Sequence, residues 1–274
     1  MTWADSQPQD VPQAQAIFRK ALSFVDRFAL VISLILFLVF WESLIKLAHI
    51  NPILLPSPGS VGLELIEVSR KGLLWGPLAD SLKALGVGLA ISLILGIPLG
   101  ILIGASHLLD LLSTPYMWAL RATPRIAIAP LVLIWVGFGY PGKIWMIVIT
   151  AGIYVLLITQ EGVKMVDETL VRVARSFGAS RLDILIKVVL PYILPNIANA
   201  IRNGIGMGIV GLMIMEMFSA GGGIGGQVAR ASYTYDGARL YAFILVLTIV
   251  SLSLISISRR LESYLSRWRE EAYV

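Results

Sequence analysis

Apolar runs long enough to cross a membrane alternate with short polar breaks along most of this chain. A helix rises about 1.5 Å per residue, so roughly 20 apolar residues cross about 30 Å of hydrocarbon. The pattern therefore predicts an all-α membrane protein with six transmembrane helices. We expect the spans at about 28–48, 82–104, 112–138, 144–163, 192–218 and 240–258.

Proline and glycine mark the breaks between these runs. Residues 51–59 are rich in proline and cannot continue a helix, because proline lacks the amide donor and clashes with the preceding turn. Residues 60–77 predict a short amphipathic helix at the membrane interface, with Trp75 as its anchor. Residues 111–126 contain prolines and arginines and predict a broken helix. The second span has a strip of small residues that favours close packing of another helix, at Gly96, Gly100 and Gly104.

Composition narrows the class of protein. Of the 274 residues, 57% are hydrophobic and 14% are charged, and the mean hydropathy is +0.81, which leaves too few polar residues for a soluble domain. The absence of cysteine excludes disulfides, iron–sulfur clusters and thiol catalysis. His49 and His107 stand apart from other ligand types, so we expect no metal site. A net charge of +5 is small, and we expect it to reflect residues that flank the spans rather than binding to nucleic acid.

The basic residues are divided unequally between the two sides of the predicted bundle. Six spans place both termini on one side, together with the polar loop 164–190. The positive-inside rule then predicts a cytoplasmic tail at 1–27, a transmembrane domain at 28–260 and a second cytoplasmic tail at 261–274. The lysines and arginines on this side are Arg19, Lys20, Arg27, Lys164, Arg172, Arg175, Arg181, Lys187, Arg259, Arg260, Arg267 and Arg269. Those on the other side are Lys46, Arg70, Lys71, Lys83, Lys143, Arg230 and Arg239.

Two glycine patterns bear on nucleotide binding. The segment Gly221–Gly226 contains the spacing G-x-G-x-x-G, but it follows a predicted span rather than a strand, so we interpret it as a flexible loop on the outer face. The sequence contains no G-x-x-x-x-G-K-[ST], so it has no phosphate-cradling loop of that type. We therefore expect a chain that is not itself an enzyme and that draws energy from a separate subunit.

The loop 164–190 is the most informative segment. It is basic and of mixed charge, and Gly178 divides it into two short predicted helices. Polarity alone is also typical of a solvated connector. However, Val173, Ala174 and Gly178, followed at Val188 by Val-Val-Leu-Pro, resemble the EAA loop of ABC importer permeases, in which Glu-Ala-Ala, three residues, Gly and nine residues precede Ile-x-Leu-Pro. Arg172 stands where that pattern has Glu.

The resemblance extends over most of the chain and implies a type I ABC importer permease (MetI-like) fold with a cytoplasmic coupling helix. Several segments are similar to permeases of the nitrate, sulfonate, taurine and bicarbonate subfamily. They include Leu55 to Pro58, Gly96 to Gly100, Leu120 to Pro124, Ile134 to Gly139 and Glu216 before the glycine-rich segment. The resemblance implies that the ATPase-coupling residues are Val173, Ala174, Arg175, Phe177, Gly178, Ala179, Leu190 and Pro191.

The resemblance also implies the partners and the location. We expect a dimer of ABC ATPase subunits that holds the ATP and Mg, a second copy of this chain, and an extracytoplasmic solute-binding protein, with no cofactor in the chain itself. The location implied is the bacterial cytoplasmic (inner) membrane. The solute implied is a small anion, although the same subfamily includes permeases for pyrimidine vitamin precursors and riboflavin. A secondary transporter remains an alternative, but residues 28–138 and 144–258 show no convincing internal repeat.

Charged and aromatic residues within the spans are the candidates for the pathway or its gate, because a charge inside a membrane marks either function or an internal ion pair. Thr159 and Tyr154 lie in the fourth span, where the chain departs from the pattern of the resembling permeases. The expected pathway or gate residues are Arg121, Arg125, Trp135, Tyr154, Thr159 and Glu216.

Overall fold

The computed structural model describes residues 13–219 and 222–270, and every regular element within them is a helix. Five helices are long and apolar enough to cross a membrane, and a bent helix pair brings the number of candidate spans to six. The elements are α1 Gln13–Ala48, α2 Pro58–Arg70, α3 Trp75–Gly104, α4 His107–Ala122, α5 Arg125–Val136, α6 Tyr140–Lys164, α7 Glu168–Ser176, α8 Arg181–Ile184, a π-helical turn Leu185–Val189, α9 Leu190–Ser219, α10 Gly223–Tyr233 and α11 Gly237–Glu270.

The helices at the two ends of the predicted transmembrane domain extend beyond its expected bounds. Residues 13–27 continue α1 as helix, while the rest of the predicted tail at 1–27 lies outside the described residues. Likewise, α11 runs to Glu270, so only residues 271–274 of the predicted second tail lie outside. The expected interfacial helix 60–77 is shorter than predicted, because α2 ends at Arg70 and Trp75 opens the long helix α3 instead.

Helix α6 lies at the centre of the bundle, between α3 and α9. Its buried side chains include Ile147, Ala151 and Val155. The glycine strip of α3 faces it: a Cβ on Gly96 would lie 2.9 Å from a methyl carbon of Val155. On Gly100, a Cβ would lie 2.6 Å from the carbonyl oxygen of Leu156. The expected close helix contact at this strip is confirmed, and at Gly100 it brings the two helix backbones together.

The predicted third span, 112–138, is not one straight helix. It consists of α4 and α5, whose axes are bent by 99° at Thr123 and Pro124. Thr123 has an extended ψ of 125°, as expected for a residue before proline. The expected break near residues 111–126 is therefore present, and it turns the chain sharply.

Candidate functional site

Helix α7 is built and capped by local sequence signals. Asp167 is its N-cap, and the backbone N–H of Thr169 donates to Asp167 Oδ1 over 2.7 Å. This hydrogen bond, with one from the Thr169 hydroxyl, holds the pKa of Asp167 below its usual range. Glu168 lies in the first turn and Arg175 in the last, which suits the helix dipole at both ends.

The C-terminus of α7 is closed by a Schellman motif centred on Gly178. The Gly178 N–H donates to Arg175 O over 2.9 Å, and the Ala179 N–H donates to Ala174 O over 3.1 Å. Gly178 has φ +79°, which L side chains rarely adopt, and a Cβ there would meet nothing within 4 Å. Glycine is therefore required for the turn rather than for close approach within this chain.

The expected coupling residues separate into an anchored group and a projecting group. Ala174 and Ala179 pack on the buried cluster that contains Val163 and Ile184. Phe177 instead is 86% exposed, and Val173 is 48% exposed. An aromatic side chain held in solvent by a rigid cap is an unusual placement for a merely structural residue.

The loop contains two short helices on either side of Gly178, as the sequence predicted. Helix α7 ends at Ser176 and α8 begins at Arg181. Leu190 and Pro191 form the first turn of α9 and are half-buried. They lie at the base of the loop, and they do not belong to its projecting face.

Two of the expected pathway residues, Arg121 and Arg125, flank the sharp bend between α4 and α5. The guanidinium of Arg121 lies 5.9 Å from the centre of the Trp118 ring, and that of Arg125 lies 4.7 Å from the centre of the Tyr154 ring. The structure thus brings Tyr154 and Arg125 together.

A cavity of about 120 Å³ opens beside Arg121, between α4 and α6. We call it the α4–α6 cleft. Its polar and aromatic lining is Thr114, Trp118, Arg121, Gln160, Glu161 and Lys164. Asp110 contacts two of these residues, with its Oδ1 2.5 Å from Lys164 Nζ and 2.6 Å from Gln160 Nε2.

Trp135 and Thr159 lie away from this cleft. Trp135 is 72% exposed on α5 and faces outward from the single chain. Thr159 has no exposed surface, donates its hydroxyl hydrogen bond to Val155 O over 2.7 Å, and packs against Gly100 of α3. A pathway role for Thr159 is therefore wrong in this structure, because the side chain fills a helix–helix contact.

Glu216 was expected to line the pathway or a gate, and its position contradicts that. Its side chain is fully buried and pairs with Lys143, whose Nζ lies 3.0 Å from Glu216 Oε1. Ser81 Oγ donates to the same carboxylate over 2.8 Å, and the Gly225 N–H donates to Oε2 over 2.8 Å. The carboxylate thus joins α3, α6, α9 and α10 in one polar network. The alternative that an intramembrane charge marks an internal ion pair is the correct one here.

The glycine-rich segment belongs to this network. Gly221 lies outside the described residues, but Gly223 to Gly226 are buried and open α10. A Cβ on Gly223, where φ is +80°, would lie 1.9 Å from Glu216 Oε1. The expectation of a flexible loop is therefore wrong, since these glycines make room for a buried carboxylate.

Lys143 and Ser81 were missed as partners of Glu216. Lys143 follows a Gly-Tyr-Pro-Gly turn, and its sequence context is typical of a basic residue that flanks a membrane span. Ser81 is 135 residues from Glu216. No sequence spacing connects three such distant positions. An unpaired acidic residue late in an apolar run was the only available signal.

Comparisons with known proteins agree on one family. Residues 96–271 match the family described as binding-protein-dependent transport system inner membrane component. The chain is 32% identical to the taurine transport system permease protein TauC of Escherichia coli over 87% of this chain and 89% of that protein. It is 31% identical to the aliphatic sulfonates transport permease protein SsuC of Bacillus subtilis, over 84% of this chain and 83% of that protein.

A solved structure shows the fold independently. A chain of the MetNI methionine ABC transporter in an inward-facing conformation superposes with a TM-score of 0.62 and 18% identity. The match covers 71% of this chain and 98% of that chain.

Proposed function

Because the chain belongs to the family of binding-protein-dependent transport system inner membrane components and is a permease subunit of an ABC importer, we propose that α7 couples it to a separate ATPase subunit. In this proposal the transported solute is a small sulfonate-like anion. The observation that carries this proposal is the placement of Phe177, which is 86% exposed beside a capped glycine turn. A projecting aromatic residue on a rigid turn is suited to fill an apolar groove of a partner.

The base of α7 supports a mechanical role. The loop rests on the end of α6 through the cluster of Val163, Ile184 and Ile193, which also includes the first turns of α9. A displacement of α7 by its partner would therefore be passed to the two central helices, because these side chains are packed together. The ATP and Mg that drive the cycle belong to the partner in this proposal.

The proposal fixes the orientation of the chain. If α7 meets an ATPase in the cytoplasm, the ends of α3 and α6 near Gly104 and Lys164 face the cytoplasm as well. The Glu216 network then lies toward the outer face, where a solute-binding protein delivers the solute. The excess of basic residues in the segments adjoining α7 supports the same orientation.

A second copy of the chain completes the pathway in this proposal. Large side chains of α5 are turned outward, among them Ile134 at 77% and Trp135 at 72% exposed. Two copies related by a two-fold axis would place these faces together, with Trp135 beside the pathway. A heterodimer with another permease chain is the competing outcome, and native mass spectrometry of the complex counts the copies.

The substrate class rests on the relatives and on charge. The name of TauC refers to taurine, and the name of SsuC refers to aliphatic sulfonates. Arg121 and Arg125 give this chain two positive groups at the bend between α4 and α5. A vitamin or pyrimidine precursor is the alternative solute, and it would rely on the aromatic side chains instead.

The test is uptake by the complete complex, with permease, ATPase and cognate binding protein, reconstituted in vesicles. We expect ATP-dependent uptake of radiolabelled taurine that unlabelled ethanesulfonate suppresses and riboflavin does not. Phe177→Ala should lower both uptake and retention of the ATPase about tenfold or more, because an aromatic anchor dominates such contacts. Phe40→Ala is the matched control, since Phe40 is 64% exposed on α1. Unchanged uptake by Phe177→Ala would refute the coupling role.

A further inference from the structure

The helix that joins the loop of α7 to the bundle is not a continuous α-helix. Between α8 and α9 lies the π-helical turn Leu185–Val189, where the Leu190 N–H donates to the carbonyl oxygen of Leu185, five residues earlier. An α-helix uses the carbonyl four residues earlier, so this turn carries one residue more than an α-helical turn. Among residues 13–219 and 222–270 it is the single π-helical element. Such turns are rare, and many of them lie at functional sites.

The buried side chains on either side of the turn show where the extra residue lies. Ile184, Val189 and Ile193 are buried. All three pack in one cluster with Val163, near the end of α6. Their spacing is five residues and then four, whereas neighbours on one face of an α-helix are three or four residues apart. The π-helical turn therefore places Ile184 and Val189 on the same face. Ile186, inside the turn, is 51% exposed and lies outside this cluster.

Pro191 favours a wide turn at this point of the chain. Proline has no N–H, and in an α-helix its ring clashes with the carbonyl four residues back, which here belongs to Lys187. A wider turn directly before the proline relieves that clash. Neither the carbonyl of Lys187 nor that of Ile186 can accept a hydrogen bond from position 191, so the junction lacks one hydrogen bond that a helix without proline would have. The junction between the loop and the bundle is therefore weakly bonded.

The segments on both sides of the turn are better fixed than the turn itself. On the loop side, Ser180 and Asp183 form a capping box, in which the Asp183 N–H donates to Ser180 Oγ over 3.1 Å. On the bundle side, α9 continues as an α-helix from Leu190, and Ile193 has no exposed surface. A change from a five-residue to a four-residue hydrogen bond would move α8 by the rise of one residue, about 1.5 Å, relative to α9. The turn can therefore take up a displacement that would strain either flanking segment.

We propose that the π-helical turn Leu185–Val189 is a hinge between the loop that carries α7 and the bundle, and that Pro191 is a positioning residue that keeps this hinge weakly bonded. The inference rests on the proposed function for the view that an ATPase moves the loop. Exchange of hydrogen-bond partners within the turn then lets α8 move relative to α9, while the cluster around Val163 passes the displacement to α6. Pro191 acts on transport through the backbone, without contact to the ATPase.

Two variants remove the hinge in different ways. Deletion of Ile186 takes out the extra residue, so that the buried positions become four and four residues apart and α8 and α9 form one α-helix with its packed face intact. Pro191→Ala keeps the length of the chain and adds an N–H donor across the junction. Pro195→Ala is the matched control, because Pro195 lies in the same helix but the residues directly before it are α-helical.

The measurement is hydrogen exchange of the amides at 185–190 in the complete permease–ATPase complex in nanodiscs. It is made at one pH, first without nucleotide and then with the ATPase trapped by ATP and vanadate. In the parent we expect trapping to change the exchange rate of these amides about threefold or more. Each hinge variant should exchange about tenfold more slowly, in keeping with one added hydrogen bond, and should lose the response to trapping while it retains the ATPase. A turn with a merely structural role gives no response to trapping.

The proposal is overturned if trapping leaves exchange at 185–190 unchanged in the parent, or if Pro195→Ala removes the response as Pro191→Ala does. Hinge variants that respond as the parent does would also overturn it. Loss of the ATPase from Pro191→Ala would do the same, because the proline would then act on docking. If the deletion variant does not fold, Pro191→Ala decides. The proposed function fails instead if the parent retains no ATPase. In that case slower exchange at 185–190 in Pro191→Ala, but not in Pro195→Ala, still supports the hinge, and equal exchange in both overturns it.

Discussion

Lys143 Nζ lies 3.0 Å from Glu216 Oε1, and both side chains are buried between helices. The carboxylate accepts further hydrogen bonds from Ser81 Oγ and from the N–H of Gly225. Asp80 lies 3.7 Å from the same ammonium group but keeps half of its side chain exposed. Burial of this pair is tolerable because both charges are compensated at once, and the pair also fixes the start of α10 against three other helices.

Removal of one charge of this pair should be more damaging than removal of both. Glu216→Gln leaves the buried ammonium of Lys143 with only the half-exposed carboxylate of Asp80, 3.7 Å away, and we expect a loss of up to roughly 3–5 kcal/mol of stability. Glu216→Gln combined with Lys143→Met should recover part of that loss, because no uncompensated charge remains. Thermal unfolding of the detergent-purified proteins, followed by loss of monodisperse protein, measures both.

The exposed pair Glu67 and Lys71 on α2 provides the control for that experiment. Their side chains are about half exposed, so Glu67→Gln should change the melting temperature little. Equal destabilisation by Glu67→Gln and Glu216→Gln would contradict the role given to burial.

Gly223 should not tolerate even one added methyl group. A Cβ there would lie 1.9 Å from Glu216 Oε1, on a backbone with φ +80°. Gly223→Ala therefore forces either the carboxylate or the start of α10 to move, and we expect poor membrane expression or a large drop in melting temperature. Gly86→Ala is the matched control, because a Cβ at Gly86 in α3 meets nothing within 4 Å. A Gly223→Ala protein as stable as the Gly86→Ala protein would show that the glycine is dispensable.

The sequence predicted the spans and the loop better than it predicted their partners. Length and hydropathy of an apolar run determine whether a helix can cross a membrane, so α3, α6, α9 and α11 were found. Pro124 indicated a break, but the 99° bend between α4 and α5 depends on how each half packs against α6. Hydropathy carries no information about such packing.

In the candidate site too, features set by a local motif were predicted, and features set by distant neighbours were not. The motif around Gly178 located the loop that contains α7 and its glycine turn, because its glycine and its Leu-Pro lie at a fixed spacing in one segment. Glu216 and Thr159 were misassigned because burial of a polar side chain depends on neighbours far away in sequence. For Glu216 those neighbours are Lys143, 73 residues away, and Ser81, 135 residues away.

Gly178 should be replaceable by asparagine more readily than by valine. Its φ of +79° lies in the left-handed region, which asparagine enters at a modest cost and β-branched residues avoid. Space is not the constraint, since a Cβ at Gly178 meets nothing within 4 Å. We expect Gly178→Val to disrupt the turn that presents Phe177 and to reduce ATP-driven uptake strongly, with Gly178→Asn between it and the parent. Equal uptake by the valine and asparagine variants would show that the turn geometry does not matter.

The N-cap of α7 should make that helix sensitive to pH. The hydrogen bonds from Thr169 lower the pKa of Asp167, so its carboxylate is more favourable in the folded helix than in an unfolded segment. The stabilisation is therefore present above the ordinary carboxyl pKa and is lost as the pH falls through the lowered folded value.

Hydrogen exchange of the α7 amides in the parent and in Asp167→Ala, compared at the same pH so that intrinsic rates cancel, measures this contribution. We expect faster exchange in the variant at neutral pH, and a difference that shrinks in acid as the parent's carboxyl becomes protonated. Asp183→Ala is the comparison, because Asp183 caps α8 rather than α7 and should leave the exchange of Thr169 unchanged. A parent and an Asp167→Ala variant that exchange alike at neutral pH would remove Asp167 from the set of residues that hold Phe177 in position.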